Sequence, residues 1–226
     1  MTKEEPSWSI RFLYDGDSDD IIMKYGKMPL PPYIKRNNGN GNGAVDFDRY
    51  QTVYARHKGS IAAPTAGFHF SEELIGTIEN MGVQIAKITL HIGIGTFNLI
   101  KSPTVEEHAM HREYYVLDET IKKLIGQAKD EGRRIVACGT SAVRTLETVF
   151  SGNGNMPLQG STGLFIYPGY QFKMVDVLIT NFHLPRSTPL MLAGAFAGRE
   201  ALMKCYEEAK ERGYRFYSYR DAMLIV

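Results

Sequence analysis

The chain has little cysteine: two residues in 226, Cys138 and Cys205, with no Cys-x-x-Cys spacing. That excludes a disulfide framework and a thiolate metal cluster, and it fits a reducing compartment. Both thiols read as reduced and buried. Long apolar runs are missing too. The longest near a helix, PLMLAGAFAG at 189–198, is about half of a membrane span. The start lacks the basic–apolar–small order of a secretory leader. These absences predict a soluble, cytoplasmic protein. An excess of charge of either sign is lacking as well. Lys and Arg number 26 against 25 Asp and Glu, a formal net charge of +1. Nucleic-acid contact, if it occurs, must come from a local patch.

Common catalytic signatures are also absent. There is no G-x-S-x-G, no P-loop and no Cys–His signature, which lowers hydrolase and NTPase readings. His108 and His111 stand three apart among carboxylates in EEHAMHREY, but HExxH is missing and no further ligands gather, so no metal is expected. A polar helix face or a proton-handling pair fits them better. HIGIGTF has Gly93-x-Gly95 without the third glycine or an acidic ribose binder, which argues against a dinucleotide fold. Those glycines permit close approach to a flat ligand, or they mark a bulge.

What is present is a globular composition: 43% hydrophobic residues and 11% aromatics, enough for one large domain. The N-terminal part is different. Ser9–Tyr14 reads as a lone strand, followed by an acidic turn and an extended segment with Pro29, Pro31 and Pro32. NNGNGNG at 37–43 reads as a flexible loop. Beyond it, strands and helices alternate. Ser71, Asp118 and Ser187 or Thr188 are expected to cap helices, and Gly82, Gly132 and Gly213 to end them. VQIAKITLHI, RIVAC, GLFIY, MVDVLIT and the closing YRFYSYRDAMLIV read as strand material. The order predicts an α/β fold with parallel strands joined by helices.

In such folds ligands sit at the carboxyl ends of strands. His91, Gly139-Thr140-Ser141 and Asn181-Phe182-His183 all fall at expected strand ends. CGTSAVRTLE suits a carboxylate or phosphate at a helix start, with Arg144 one turn in. Alternatively it is a helix cap with an Arg144–Glu147 surface pair. His69, between two phenylalanines in APTAGFHF, either faces a flat ligand or is a packed core histidine. Asn181, His183, Arg186, Ser187 and Thr188 cluster in one loop before a helix. Residues 24–58 carry seven Lys or Arg against two Asp, with four tyrosines interleaved. That pattern suits unpaired RNA, and equally a solvated linker with tyrosines packed on the body.

Long motifs run in one order along the chain: MPLPPYIKR, RYQTVYA, GSIAAPTAGFHFSEEL, TLHIGIGTF, EEHAMHREYY, GTSAVRTLE, FIYPGYQFKMVDVLITNFHLPRSTPLMLAGAFAGRE and YRFYSYRDAMLIV. Together they resemble the S-adenosylmethionine:tRNA ribosyltransferase-isomerase family of queuosine biosynthesis, from Lys27 to Val226. The resemblance implies a fold, α/β with a barrel-like main domain of alternating strands and helices, and a small inserted β-barrel domain. Residues 1–35 would be the remnant of the inserted barrel with its Pro-rich linker, and 36–226 the main domain. Nothing here matches the family's N-terminal region. The expectation is therefore a shortened copy, half of a split enzyme with a separate N-terminal half, or a misplaced start.

The resemblance also implies a reaction. The ribosyl part of S-adenosylmethionine moves onto 7-aminomethyl-7-deazaguanine at the tRNA wobble position and is isomerised to an epoxycyclopentanediol. The product is epoxyqueuosine-tRNA, and adenine and methionine leave. S-adenosylmethionine is a co-substrate, and no cofactor is implied. His69 or His183 is nominated as the base, with His91 in support. Gly139, Thr140, Ser141 and Arg144 would hold the methionine carboxylate. Gly93, Gly95 and Thr96 would lie against the nucleoside, Thr65 and Gly67 would be further substrate-binding residues, and Asn181 and Arg186 would contact the sugar or target base. Tyr33, Lys35, Arg36 and Arg56 would face tRNA.

Overall fold

The computed structural model describes residues 11, 13–31, 33, 34, 46, 49–151, 157–219 and 221–226. Half of the strand expected over Ser9–Tyr14 falls outside them, and its described residues, 11, 13 and 14, are not strand; the Asn/Gly loop at 37–43 falls wholly outside. The acidic stretch is not a turn. Asp17 accepts from the Asp19 N–H at 2.8 Å and caps helix α1, Ser18–Tyr25, which buries none of its residues.

The expected caps act where they were placed. Ser71 Oγ accepts from Leu74 N at the start of α2, Glu72–Asn80. Asp118 accepts from Thr120 N at the start of α3, Glu119–Asp130. Ser187 opens α5, Thr188–Ala197, with Pro189 in its first turn. Between α3 and α5 lies α4, Thr140–Ser151. Gly198 turns the chain into α6, Arg199–Glu211.

Strands are shorter than the apolar runs that suggest them. β1 is Thr89–His91, β2 Glu113–Val116, β3 Val136–Cys138, β4 Gln159–Thr162, β5 Val177–Asn181 and β6 Ala222–Ile225. They form two three-stranded sheets, ordered β1-β2-β4 and β3-β5-β6. The first is antiparallel throughout, with Thr89 opposite Val116 and Glu113 opposite Thr162. In the second, β3 and β5 are parallel and β6 runs antiparallel to β5. The all-parallel expectation is therefore corrected: only β3 and β5 meet it among the described strands. GLFIY is not a strand, because pairing with β2 falls on QGST just before it. The EEHAMHREY segment is not a helix; its last residues enter β2.

The larger core packs α3 and α4 onto both sheets through Leu117, Ile125, Val143, Val149 and Leu178. A second cluster of Phe182, Ala193, Leu202, Tyr206 and Met223 holds α5 and α6 against β5 and β6. Buried charges tie these layers together. Arg144 is 4% exposed and Glu113 5%. Arg144 Nη1 lies 2.8 Å from Glu113 Oε2, an ion pair rather than a well-aligned hydrogen bond. The same guanidinium donates to the carbonyls of Leu164, His111 and Thr162. Glu147, fully buried, accepts the backbone N–H groups of Lys173, Met174 and Val175 and the Tyr170 hydroxyl. The expected Arg144–Glu147 surface pair does not form; each side chain points into a different part of the interior.

An unpaired buried donor costs about 1–3 kcal/mol. Glu147→Ala leaves three backbone N–H groups without their acceptor. It should lower stability by on the order of 3 kcal/mol or more. Urea unfolding should show a lower midpoint at an unchanged slope; an unshifted midpoint would contradict the clamp.

Candidate functional site

β3 and β5 end side by side, with Cys138 opposite Ile179. At their carboxyl ends the chain must turn. Gly139 takes φ 93°, a left-handed value glycine adopts without strain, and α4 begins at once. After β5 the chain enters the loop 182–187. Two further segments are pinned beside these ends. A 3-10 turn at Thr65–His69 precedes α2, and another at Ile94–Phe97 follows β1. Single antiparallel bridges fix both: Ala62 with Ile92, and Leu99 with Ser187.

A cavity of about 110 Å³ lies where these segments meet. Of the residues nominated from sequence, Thr65, Thr96, Gly139, Thr140, Ser141, Asn181, His183 and Tyr33 line it. Asn181 organises one wall. Its Oδ1 accepts from Thr65 Oγ1 at 3.1 Å, and its Nδ2 is 3.1 Å from His69 Nε2. His69 thus stands behind Asn181 rather than on the cavity surface. Burial pulls its pKa down, and the Asp221 carboxylate opposes that. His183 Nε2 is 2.7 Å from Thr180 Oγ1, and its backbone N–H donates to Tyr206 Oη. Burial pushes the His183 pKa down to about 4, so the ring is neutral at neutral pH. Cys138 also lines the cavity. Burial lifts its thiol to about 11, which removes it as a thiolate nucleophile. Cys205, expected buried, is exposed.

Other nominated residues go elsewhere. Arg144 is taken up by Glu113 and three carbonyls, so it has turned away from the start of its own helix, where it was expected to help hold an anion. His91 lies on β1 in the other sheet, against Tyr114 at 5.7 Å. Gly95 is needed because the His111 ring packs where a Cβ would sit, and Gly67 because Tyr54 and Thr52 do. Both close approaches are made by the protein's own side chains rather than by a flat ligand. Gly93 faces open space. Arg186, at φ 60°, is exposed and contributes its carbonyl to Ile100 N. Arg56 is exposed, while Lys35 and Arg36 lie outside the described residues.

A larger open groove of about 950 Å³ adjoins this cavity. One face of α6 supplies Met203, Tyr206, Glu207 and Lys210, and the segment 214–219 supplies the opposite side. Cavity and groove share a wall made of Tyr33, His183, Tyr217 and Ser218. A 2.7 Å hydrogen bond between Tyr33 Oη and Ser218 Oγ closes it, and the Tyr33 and Tyr217 rings lie 5.1 Å apart. Tyr217 and Tyr219 hold φ of 78° and 61°, values costly for a tyrosine. Sequence reading takes this stretch for strand and misses the wall. The signal available was YRFYSYRD itself, too dense in hydrogen-bonding aromatics for an ordinary buried strand. Thr180, the partner of His183, carries no signal beyond its place one residue before Asn181.

Three comparisons bear on this arrangement. Residues 1–225 match the family of queuosine biosynthesis proteins. The S-adenosylmethionine:tRNA ribosyltransferase-isomerase of Natranaerobius thermophilus is 51% identical over 98% of this chain and 63% of its own length. That of Caldanaerobacter subterraneus subsp. tengcongensis is 51% identical over 96% of the chain and 62% of its own. The crystal structure of the S-adenosylmethionine tRNA ribosyltransferase from Thermotoga maritima is similar at a TM-score of 0.59 and 44% identity, over 72% of this chain and 52% of that one. The chain therefore spans somewhat under two thirds of the length of these relatives. By these matches the chain belongs to the queuosine biosynthesis protein family.

Proposed function

We propose that the chain carries the donor-binding and catalytic part of an S-adenosylmethionine:tRNA ribosyltransferase-isomerase. One observation carries this reading. In a chain of this family, an open helix start with two hydroxyls, an Asn–Thr–His network and a neutral histidine converge on one cavity. The methionine carboxylate of S-adenosylmethionine sits at Thr140 and Ser141, where free N–H groups and the helix dipole favour an anion. The nucleoside lies along Thr65 and Thr96. Asn181 orients the sugar. A drug-sized ligand fills about 300–1,000 Å³, so the Tyr33 wall moves aside when the donor enters.

His183 is the base in this reading, since it reaches the cavity surface and His69 and His91 do not. It takes a proton from the ribose 5′ carbon, which the adjacent sulfonium acidifies. The glycosidic bond breaks, and adenine leaves with a proton. The acceptor amine then bonds to the rearranged sugar, the carbon–sulfur bond breaks with its electron pair going to sulfur, and methionine leaves. One net proton comes from the amine. The acceptor is 7-aminomethyl-7-deazaguanine in tRNA, reached from the side of Tyr33, with Lys35, Arg36 and Arg56 as further tRNA contacts in this reading. The barrel-like closure of the main domain at 36–226, and the reading of 1–35 as the tail of an inserted barrel, belong to the same proposal. So does a cytoplasmic location; among the described residues no helix is long and apolar enough to cross a membrane.

Adenine release from S-adenosylmethionine, with tRNA bearing the precursor base, tests this directly. The assay is run with and without a relative's N-terminal segment in trans. Release by the chain alone places the whole site within these residues, and release only with the added segment makes the site composite. Silence in both overturns the catalytic reading and leaves a binding fragment. His183→Ala should cut release by about a hundredfold or more, the range of general-base contributions, and unchanged release would remove His183 as the base.

The same histidine gives a stability signature. Its folded pKa of about 4 lies below the ordinary 6.5, so the unfolded chain binds more protons between those values. Stability is whole above about pH 6.5 and falls as pH drops toward about 4. His69 and His108, also lowered by burial, add to the same limb. Thermal midpoints against pH should decline through this window, and His183→Gln should flatten the decline.

A further inference from the structure

The groove beside the cavity has chemistry of its own. Tyr206, Tyr214, Phe216, Tyr217 and Tyr219 line it together with Tyr33. Several rings brace one another: Phe182 stands 5.3 Å from Tyr206, 6.0 Å from Tyr214 and 4.8 Å from Phe216. They form a pre-set aromatic surface rather than loose side chains. At about 950 Å³ the groove has room for more than a single base.

Two cations stand on it, Lys210 and Arg215, against one lining carboxylate, Glu207. Lys210 pairs with Glu207 at 2.5 Å and Arg215 with Asp221 at 3.4 Å. These pairs are solvent-exposed, and such pairs are worth little, so a phosphate can compete for either cation. Rings that stack bases, with cations that track the backbone, are what single-stranded RNA requires. An acidic protein surface would also meet the cations, but the run of rings beside them matches stacked bases more closely. The decisive point is continuity: the groove and the cavity meet at His183.

We infer that this groove binds unstacked nucleotides of an RNA loop, with Tyr214 as a stacking platform and Lys210 as a phosphate contact, so that a base turned out of its stack arrives at His183 from the groove side. The inference rests on the donor-site reading above, because it takes the cavity to hold the other substrate. The Tyr33–Ser218 contact is then the partition between the two substrates, and it parts for transfer to occur.

The test uses the full chain and a short stem-loop RNA with an unpaired, guanosine-containing loop, followed by fluorescence anisotropy. S-adenosylmethionine binding is measured on the same preparations by calorimetry. Tyr214 is half-exposed, so its replacement leaves the fold intact. Tyr214→Leu should weaken RNA binding by between about fivefold and a hundredfold, the range for losing one stacked base. Tyr214→Phe should bind as the parent does. Lys210→Gln should lower the salt dependence of binding by about one phosphate contact. None of the three should move S-adenosylmethionine affinity. RNA binding unchanged in Tyr214→Leu, with S-adenosylmethionine still bound, overturns the groove assignment and leaves the donor site standing. Loss of S-adenosylmethionine binding by the parent chain overturns the donor site and the inference with it.

Discussion

The buried fork of Arg144 is the constraint on which the rest depends. It leaves α4, which grows out of one sheet, and it ends on Glu113 and Thr162 of the other and on His111 and Leu164 just beyond that sheet's strands. Two three-stranded sheets have little area with which to hold each other. A planar guanidinium with five donors joins them at fixed angles, which apolar packing alone does not do. The cavity inherits that rigidity, since the first residues of α4 are one of its walls. Removing one partner of such a pair leaves an uncompensated buried charge, which costs about 3–5 kcal/mol.

Local grammar was legible in the sequence. Ser71, Asp118 and Ser187 cap where their chemistry says they should, and Gly82, Gly132 and Gly213 follow helices at positive φ. The strand ends that gather the site were legible too, because Gly139 and Asn181 close apolar runs. Pairing was not. GLFIY looks more like a strand than QGST, yet β2 pairs with QGST. What selects it is the partner strand and the Arg144 donors beneath, both remote in sequence. The exchange of roles at Arg144 has the same origin: an arginine one turn into a helix looks available until its surroundings are known.

The site combines a dry part with a wet one. His183 and Cys138 are held neutral by burial, so the cavity carries little charge of its own. In the proposed reaction that suits a cationic donor whose charge is lost, since a strong counter-charge would stabilise the starting state more than the transition state. The groove is the opposite, open and fringed with paired ions. Only four residues separate the two environments, and Tyr33 comes to that wall from far up the chain.

Tyr217 and Tyr219 show what that wall costs. Each holds a backbone conformation that glycine would adopt freely and that costs a tyrosine on the order of 1–3 kcal/mol. Glycine at either position would relieve that strain but strip a ring from the groove, and with it the contact of Tyr217 with Tyr33 or those of Tyr219 with Tyr50 and Phe68. Backbone ease and recognition are thus in direct competition at Tyr217 and Tyr219. An engineer seeking a hardier protein has better ground on the exposed face of α3, which lines neither the cavity nor the groove and where a gain in helix propensity takes nothing from the site.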